Sequence, residues 1–457
     1  MSSPTKTGKK RVKRLKVITL GCSKNTVDTE HLLAVLPPEG FAVADEGPVD
    51  YLLLNTCGFI ADAKEESIQA TLEAVQAKQA GEASKVVVFG CLSQRYPAEL
   101  KAEIPEVDAW FGARDLNDIL RYLGVPARNR YTARTGDGHG YAYLKISEGC
   151  DRRCSYCAIP YIRGAHRSVP IPDLVEEAQG LVAGGVSELI LIAQDTSCYG
   201  LDIYGRRCLA ELMQKLSEID GVRRIRLHYA YPEGLPDDVL DVMASNPKVC
   251  KYLDVPLQHI SDKVLDAMHR NSSSAQIRAF INKVRQKVPG IVLRTTMMVG
   301  HPGEGEAEFR ELLDFVRQTR FDRLGAFAYC EEEGTWGAAH LKDEVPEDVK
   351  RRRYDELMTL QAGISLDINL SRVGSEVEVM VDGTLDGKLV CRSFAESPDV
   401  DGEILVPEIP GQAGDDVMVS GDDVSRHARP DRASIVGRYI NVRITAADEY
   451  DLIAAAV

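Results

Sequence analysis

Glu148-Gly149-Cys150-Asp151-Arg152-Arg153-Cys154-Ser155-Tyr156-Cys157 sets three cysteines in a C-x3-C-x2-C spacing. An apolar run over 141–146 precedes it and reads as a strand, so the cysteines fall in the loop at its carboxyl end. Four-iron clusters are held by thiolates, ordinarily four of them. Three thiolates in one loop would hold three irons and leave the fourth open to bind a second molecule. Two other readings fit the same spacing. One is half of a zinc site, with His166 as the nearest further ligand, and the other is a redox C-x2-C pair.

The chain has 457 residues, 44% hydrophobic and 27% charged, enough for two or three domains with ordinary cores. No run reaches the ~18 apolar residues of a membrane helix. Residues 1–16 carry seven Lys/Arg and no acid. No apolar segment of signal-peptide length follows, so 1–12 reads as a disordered basic tail rather than a secretory leader. A contact with nucleic acid or the ribosome is the alternative reading of that tail. The net charge of −14 argues against a surface built for nucleic acid. Eleven cysteines in a large, enzyme-sized chain suggest metal or catalysis before disulfides, and a reducing cytoplasm.

Working outward, residues 13–125 alternate strand-like and helix-like segments. Apolar runs at 16–20, 50–54 and 85–89 end near Cys22, Cys57 and Cys91, with helical stretches at 29–36 and 64–80 between them. Such alternation implies a parallel sheet, whose ligands gather at the carboxyl ends of the strands. Free cysteine is often core filling. Three at equivalent strand ends point instead to a second three-thiolate site. Residues 126–139, rich in Arg, Gly and Thr, read as a linker.

The block 140–370 repeats the alternation. Strand candidates at 188–193, 224–229, 252–257, 291–299 and 324–329 follow the one before Cys150, and helical stretches lie at 171–182, 209–219, 261–269, 275–287 and 306–318. Six βα units predict an open, partial barrel with its chemistry at the carboxyl rim. The rim carries Gln194-Asp195-Thr196, His228-Tyr229-Ala230-Tyr231-Pro232, Gln258-His259, Gly300-His301-Pro302-Gly303-Glu304 and Glu331-Glu332-Glu333. A charged helix is expected over 342–368 as a connector. The block 371–457 changes to short alternating runs at 376–381, 402–406, 416–419 and 440–444, broken by Gly, Asp and Pro, the pattern of a small all-β barrel.

Taken together, two cysteine triads, a flavodoxin-like block, a partial barrel and a β-barrel tail resemble the radical-SAM methylthiotransferases. The likeness covers nearly all of the chain after the tail. Cys150, Cys154 and Cys157, continued by Ala158-Ile159-Pro160, look like the family's radical-SAM motif, and the last block resembles a TRAM domain. The resemblance implies an α/β fold: a flavodoxin-like N-terminal domain, a partial (βα)6 TIM-like core and a small TRAM barrel. It further implies two [4Fe–4S] clusters and S-adenosylmethionine. Cys150, Cys154 and Cys157 would hold one cluster, and Cys22, Cys57 and Cys91 an auxiliary one. A deoxyadenosyl radical would activate a C–H bond for sulfur insertion, with a second S-adenosylmethionine giving the methyl group. Tyr156, Gln194, Arg294 and Gly300 are candidate S-adenosylmethionine contacts, and the two triads are expected to face each other across the barrel mouth.

Within the family, Gly21-Cys22-Ser23-Lys24-Asn25-Thr26-Val27-Asp28, His228-Tyr229-Ala230-Tyr231-Pro232 and Asp254-Val255-Pro256-Leu257-Gln258-His259 resemble the branch that modifies an aspartate of a small-subunit ribosomal protein. Val169, His301 and Cys330 depart from that pattern, and 420–434 is unusually polar. Charge points the same way. Residues 373–445 hold 14 acids against 7 Lys/Arg, which suits a basic protein better than transfer RNA. The expected partners are that ribosomal protein, free or on the ribosome, and an electron-donor protein. Nucleic acid is at most a secondary contact, and no membrane is involved. A transfer-RNA adenosine methylthiotransferase and a non-catalytic, metal-bearing ribosome-binding scaffold remain as alternatives.

Overall fold

The computed structural model describes residues 11–136, 138–407 and 435–457. The basic tail up to residue 10, the strand expected at 416–419 and the polar stretch 420–434 lie outside the described residues.

The chain folds as two compact units. One takes the residues up to Arg134 together with Gly149–Asp151 and Ala158–Ala165. Its sheet contains β1 (Lys13–Thr19), β2 (Phe41–Val43), β3 (Tyr51–Thr56), β4 (Val86–Gly90) and β5 (Ala109–Trp110). All pairs are parallel and the order is β2-β1-β3-β4-β5. Alternate side chains feed two cores. Leu15, Leu53, Val87 and Phe89 pack with Leu32 and Ile119 from the helices Ser23–Ala34 and Leu116–Leu123. Leu52, Leu54, Val86 and Val88 pack with Ala74 and Val75 of the helix Ala61–Gln79 on the other face. This is the doubly wound flavodoxin-like order, whose ligand crevice lies between β1 and β3.

Two short strands, β2 and β5, were not expected. At two or three residues each, they are too short to show a period. The first helix begins at Ser23 rather than 29, directly after Cys22, which serves as its N-cap in extended conformation.

The second unit holds Thr135–Glu148, Arg152–Cys157 and His166–Val457. Its main sheet runs β6 (Tyr141–Lys145), β9 (Glu188–Ile192), β10 (Arg224–Leu227), β11 (Val249–Asp254), β12 (Val292–Val299) and β13 (Arg323–Ala328), all parallel and in chain order. A small antiparallel pair, β7 (Ser147–Glu148) with β8 (Arg167–Ser168), brackets the cysteine loop in sequence. The strand expected at 252–257 is displaced toward the N-terminus, because Pro256 cannot donate to the ladder. A helix at Asp237–Ser245 was not anticipated. The connector helix is Glu347–Ser371, starting after Pro346. Five described strands then close a barrel: β14 (Glu376–Leu385), β15 (Lys388–Arg392), β16 (Ile404–Pro407), β17 (Tyr439–Ala447) and β18 (Leu452–Ala456).

Alternation along the six-stranded sheet sorts its two faces. Leu189, Leu191, Ile225, Leu227, Leu253 and Leu293 join the helix-side core. The opposite face carries Glu188, Arg226, Tyr252, Arg294 and Arg323. It is covered by the loop between β15 and β16. Arg226 Nε donates to Glu188 (2.8 Å) and Arg392 Nη1 donates to its other oxygen (3.2 Å). Arg226 also donates to the Phe394 carbonyl (2.8 Å), Arg323 to Glu396 (3.2 Å), and Tyr252 Oη to Asp401 (2.7 Å). Both side chains of the Glu188–Arg226 pair are fully buried.

The guanidinium groups overcome the burial cost and hold the Glu188 and Glu396 carboxyls down at about 2. These folded values lie below the unfolded value of about 4.3. The stabilisation is therefore complete above that value and is lost as pH falls from about 4.3 toward 2. We predict that Glu188→Gln lowers apoprotein stability at pH 7 by about 3 kcal/mol. It should also flatten the loss of stability between about pH 4.5 and pH 2, read by urea denaturation at a series of pH values.

Candidate metal and cofactor site

In the first unit β1, β3 and β4 are neighbours, and each delivers a cysteine at its carboxyl end: Cys22, Cys57 and Cys91. All three thiols are free, with Cys22 exposed and the other two buried. Close approach requires a glycine beside them. Gly21 has φ +91°, and a Cβ there would lie 2.7 Å from the Cys57 Cβ.

Asn25 ties the three loops together. Its Nδ2 donates to the Leu20 carbonyl (2.8 Å) and to the Thr56 carbonyl (3.2 Å), and Cys91 Sγ donates to its Oδ1 (3.8 Å). Arg163, buried, donates to the same Oδ1 and to Asp28 Oδ2, at 2.5 and 2.6 Å. Burial pushes the Cys91 thiol up to about 11 and raises Cys57, while Arg163 opposes both shifts. A site that gathers three thiolates needs such a compensating charge. Asn25 and Asp28 lie in a stretch quoted above only for its resemblance, and the sequence assigns no role at the triad to them or to Arg163. The signal was present in part: Asn25 and Asp28 are three apart at the start of one helix and so share a face.

Among the described residues no three His, Cys, Asp or Glu side chains are gathered as for a single metal ion. Cys22 is nevertheless close enough to add to the rise at Cys57, and Cys22 and Cys57 both add to the rise at Cys91, after burial itself. That looser grouping, with Arg163 as counter-charge, fits an iron–sulfur cluster, whose ligands do not converge on one point.

The second set of cysteines is set up by backbone. Cys150 N–H donates to the Gly164 carbonyl in the first unit (3.0 Å), and Cys157 N–H to the Cys154 carbonyl in the second (3.1 Å). Cys154 Sγ lies 3.4 Å from Tyr231 Oη and 4.0 Å from Arg270 Nη1. The Tyr231 ring is flanked by two guanidinium groups, Arg152 at 3.9 Å and Arg270 at 4.2 Å. Arg152 is anchored on Asp195 and Glu233, at 2.8 and 2.9 Å. Two guanidinium groups thus stand around the ring that touches the Cys154 sulfur. His166, the candidate zinc partner, has its Nε2 3.1 Å from Ser168 Oγ.

The candidate cofactor contacts occupy varied surroundings. Tyr156 is half-buried, its ring edge-on to His301 at 6.3 Å. Burial lowers His301 to about 4, so it is neutral at pH 7. Gln194 donates to Glu148 (2.9 Å), and Arg294 pairs with Asp254 (2.9 Å) and Asp401 (3.5 Å). Gly300 allows a close approach, but the group that approaches is the Lys350 side chain, 2.4 Å from where a Cβ would stand.

We predict that Arg163→Met, which removes the guanidinium paired with the buried Asp28, destabilises the apoprotein by about 3–5 kcal/mol. Arg163→Met with Asp28→Leu should recover a large part of that loss. Chemical denaturation of the three proteins gives the coupling directly.

Profiles of known families divide the chain as its strands do. Residues 14–112 match the uncharacterized protein family UPF0004, 144–316 the radical SAM superfamily, and 373–457 the TRAM domain. A protein named ribosomal protein uS12 methylthiotransferase RimO from Porphyromonas gingivalis W83 is 48% identical over 454 residues, covering 98% of this chain and all of the relative. Proteins of the same name from Bacteroides thetaiotaomicron and Flavobacterium johnsoniae are each 45% identical, covering 97% and 96% of this chain and 98% and 97% of their own. Among solved structures, the radical S-adenosylmethionine methyltransferase TsrM from Kitasatospora setae superposes with a TM-score of 0.54 at 14% identity, over 88% of this chain and 84% of its own. The cobalamin-dependent radical enzyme OxsB gives 0.51 at 12%, over 77% and 56%. These two likenesses concern the fold alone. Identity near one half across almost the full length places the chain in the RimO family of radical-SAM methylthiotransferases.

Proposed function

We propose that this protein methylthiolates the β-carbon of an aspartate in the small-subunit ribosomal protein uS12. The observation that supports this most is the thiol triad Cys22, Cys57 and Cys91 at three adjacent strand ends, in a chain of this family that also carries the C-x3-C-x2-C loop. We assign one four-iron cluster to each cysteine set. When bound, the clusters and S-adenosylmethionine supply the radical, the sulfur and the methyl group.

The rest is the protein's part. Arg163 offsets charge at the buried Cys57 and Cys91, and its guanidinium is held by Asp28 and Asn25. Arg152 and Arg270, stacked on Tyr231, do the same beside Cys154. Tyr156, Gln194, Arg294 and Gly300 are kept as the residues proposed to surround S-adenosylmethionine. Arg294, fixed between two carboxylates, and Gln194, fixed on Glu148, are pre-organised for such a role, whereas Gly300 serves first to seat Lys350.

The terminal barrel is acidic, which favours a basic protein over transfer RNA as the substrate. Among the described residues no helix is long and apolar enough to cross a membrane. We place the enzyme in the cytoplasm with its ribosomal substrate, reduced by an electron-donor protein. The domain limits proposed are 13–125, 140–370 and 371–457, joined by the linker 126–139.

We predict that Cys154→Ala abolishes cleavage of S-adenosylmethionine. Cys57→Ala should retain cleavage but leave uS12 unmodified. Deoxyadenosine assays and the mass of uS12 check both. Deoxyadenosine release by the first variant, or methylthiolated uS12 from the second, contradicts the assignment.

A further inference from the structure

The helix Ala61–Gln79 seats small residues, Ser67, Thr71, Ala74 and Val75, against the sheet. Beside that stripe runs another at helical spacing, Glu65, Ile68, Gln69 and Leu72. Ile68 and Leu72 are 38% and 40% exposed. A solvent-facing stripe is ordinarily polar. Here it forms one wall of an open groove of about 970 Å³, whose other wall is Leu92, Tyr96 and Leu100. Four glutamates, Glu65, Glu66, Glu99 and Glu103, line the groove against one lysine, Lys64. Leu92 directly follows Cys91, and Ala61, also in the lining, comes four residues after Cys57. Two lining residues therefore stand at the starts of helices, one that follows Cys57 in sequence and one that begins with Cys91.

We propose that this groove docks a basic, amphipathic segment of the protein substrate, with apolar anchors between the two walls and Lys/Arg side chains along the glutamates. The proposal rests on the reading of the substrate as a basic ribosomal protein and adds where that protein is gripped. An apolar floor between helices is the usual seat of an amphipathic segment. Carboxylates along its edge select cations and repel phosphate, which excludes nucleic acid as the occupant. The position beside Cys57 and Cys91 would hold the neighbouring part of the substrate near the sulfur-donating site.

The test uses the full-length, anaerobically reconstituted enzyme. A fluorescent synthetic Leu/Lys amphipathic peptide is titrated at several salt concentrations into wild type, Ile68→Glu/Leu72→Glu and Glu99→Lys/Glu103→Lys. A control variant, Glu82→Lys/Asp355→Lys, carries the same charge change on exposed positions elsewhere. The proposal expects at least about tenfold weaker binding for both groove variants, a smaller salt dependence for the charge-reversed one, and near wild-type binding for the control. Deoxyadenosine formation without substrate should be unchanged in all. No binding to wild type, or equal binding by groove variants and wild type, overturns the docking site. Methylthiolation of uS12 by wild type is scored separately by mass spectrometry. Its failure overturns the substrate reading and leaves the peptide result to decide the groove.

Discussion

Parallel pairing forces every strand of a sheet to end on the same edge. In the first unit this constraint brings together residues that the sequence holds far apart. Cys22, Cys57 and Cys91 are separated by 35 and 34 residues, yet β1, β3 and β4 are adjacent in the sheet and deliver them side by side. The order β2-β1-β3-β4-β5 adds the reversal between β1 and β3, where such sheets open a crevice. The remaining work is local. Gly21 removes the Cβ that would collide with Cys57, and Asn25 stitches the loops through the Leu20 and Thr56 carbonyls. Once three thiols are gathered, the site needs positive charge. It comes from Arg163, whose own burial is compensated by Asp28.

Charge compensation of another kind organises the second unit. The face of the six-stranded sheet turned away from the helices carries Glu188, Arg224, Arg226, Arg294 and Arg323, groups too polar to be left under an apolar cover. The terminal barrel supplies the partners from the end of β15 and the loop after it: Arg392, then Glu396, Asp401 and the carbonyls of Ser393 and Phe394. His228 meets Ser397 in the same layer at 2.8 Å. The barrel is thus bound to the core by buried, hydrogen-bonded ions, which fix its position with more specificity than an apolar seam would. Arg294, itself a proposed cofactor contact, is braced by one carboxylate from the core strand β11 and one from this loop.

The βα alternation and the terminal barrel were legible in the sequence, because each is a local period, and the strand-end positions of Cys22, Cys57 and Cys91 follow from that period. What escaped depends on distant partners. Arg163 and Asp28 are 135 residues apart, and nothing near either one marks the pair. The loop 393–401 looks like an ordinary polar connection, since its role appears only when it meets Arg226 and Tyr252. Gly300 is a candidate S-adenosylmethionine contact by resemblance, and a glycine there allows close approach. The required closeness is real, but its cause is the Lys350 stem from a helix 50 residues onward. Short edge strands such as β5, with two residues, carry no period to detect.

Iron and sulfide counted per chain after anaerobic reconstitution test the central claim most directly. Two independent thiol sets predict about eight irons for wild type and about four for Cys22→Ser/Cys57→Ser/Cys91→Ser, with the remaining cluster still able to support S-adenosylmethionine cleavage. A wild-type count near four that the triple variant leaves unchanged would contradict it.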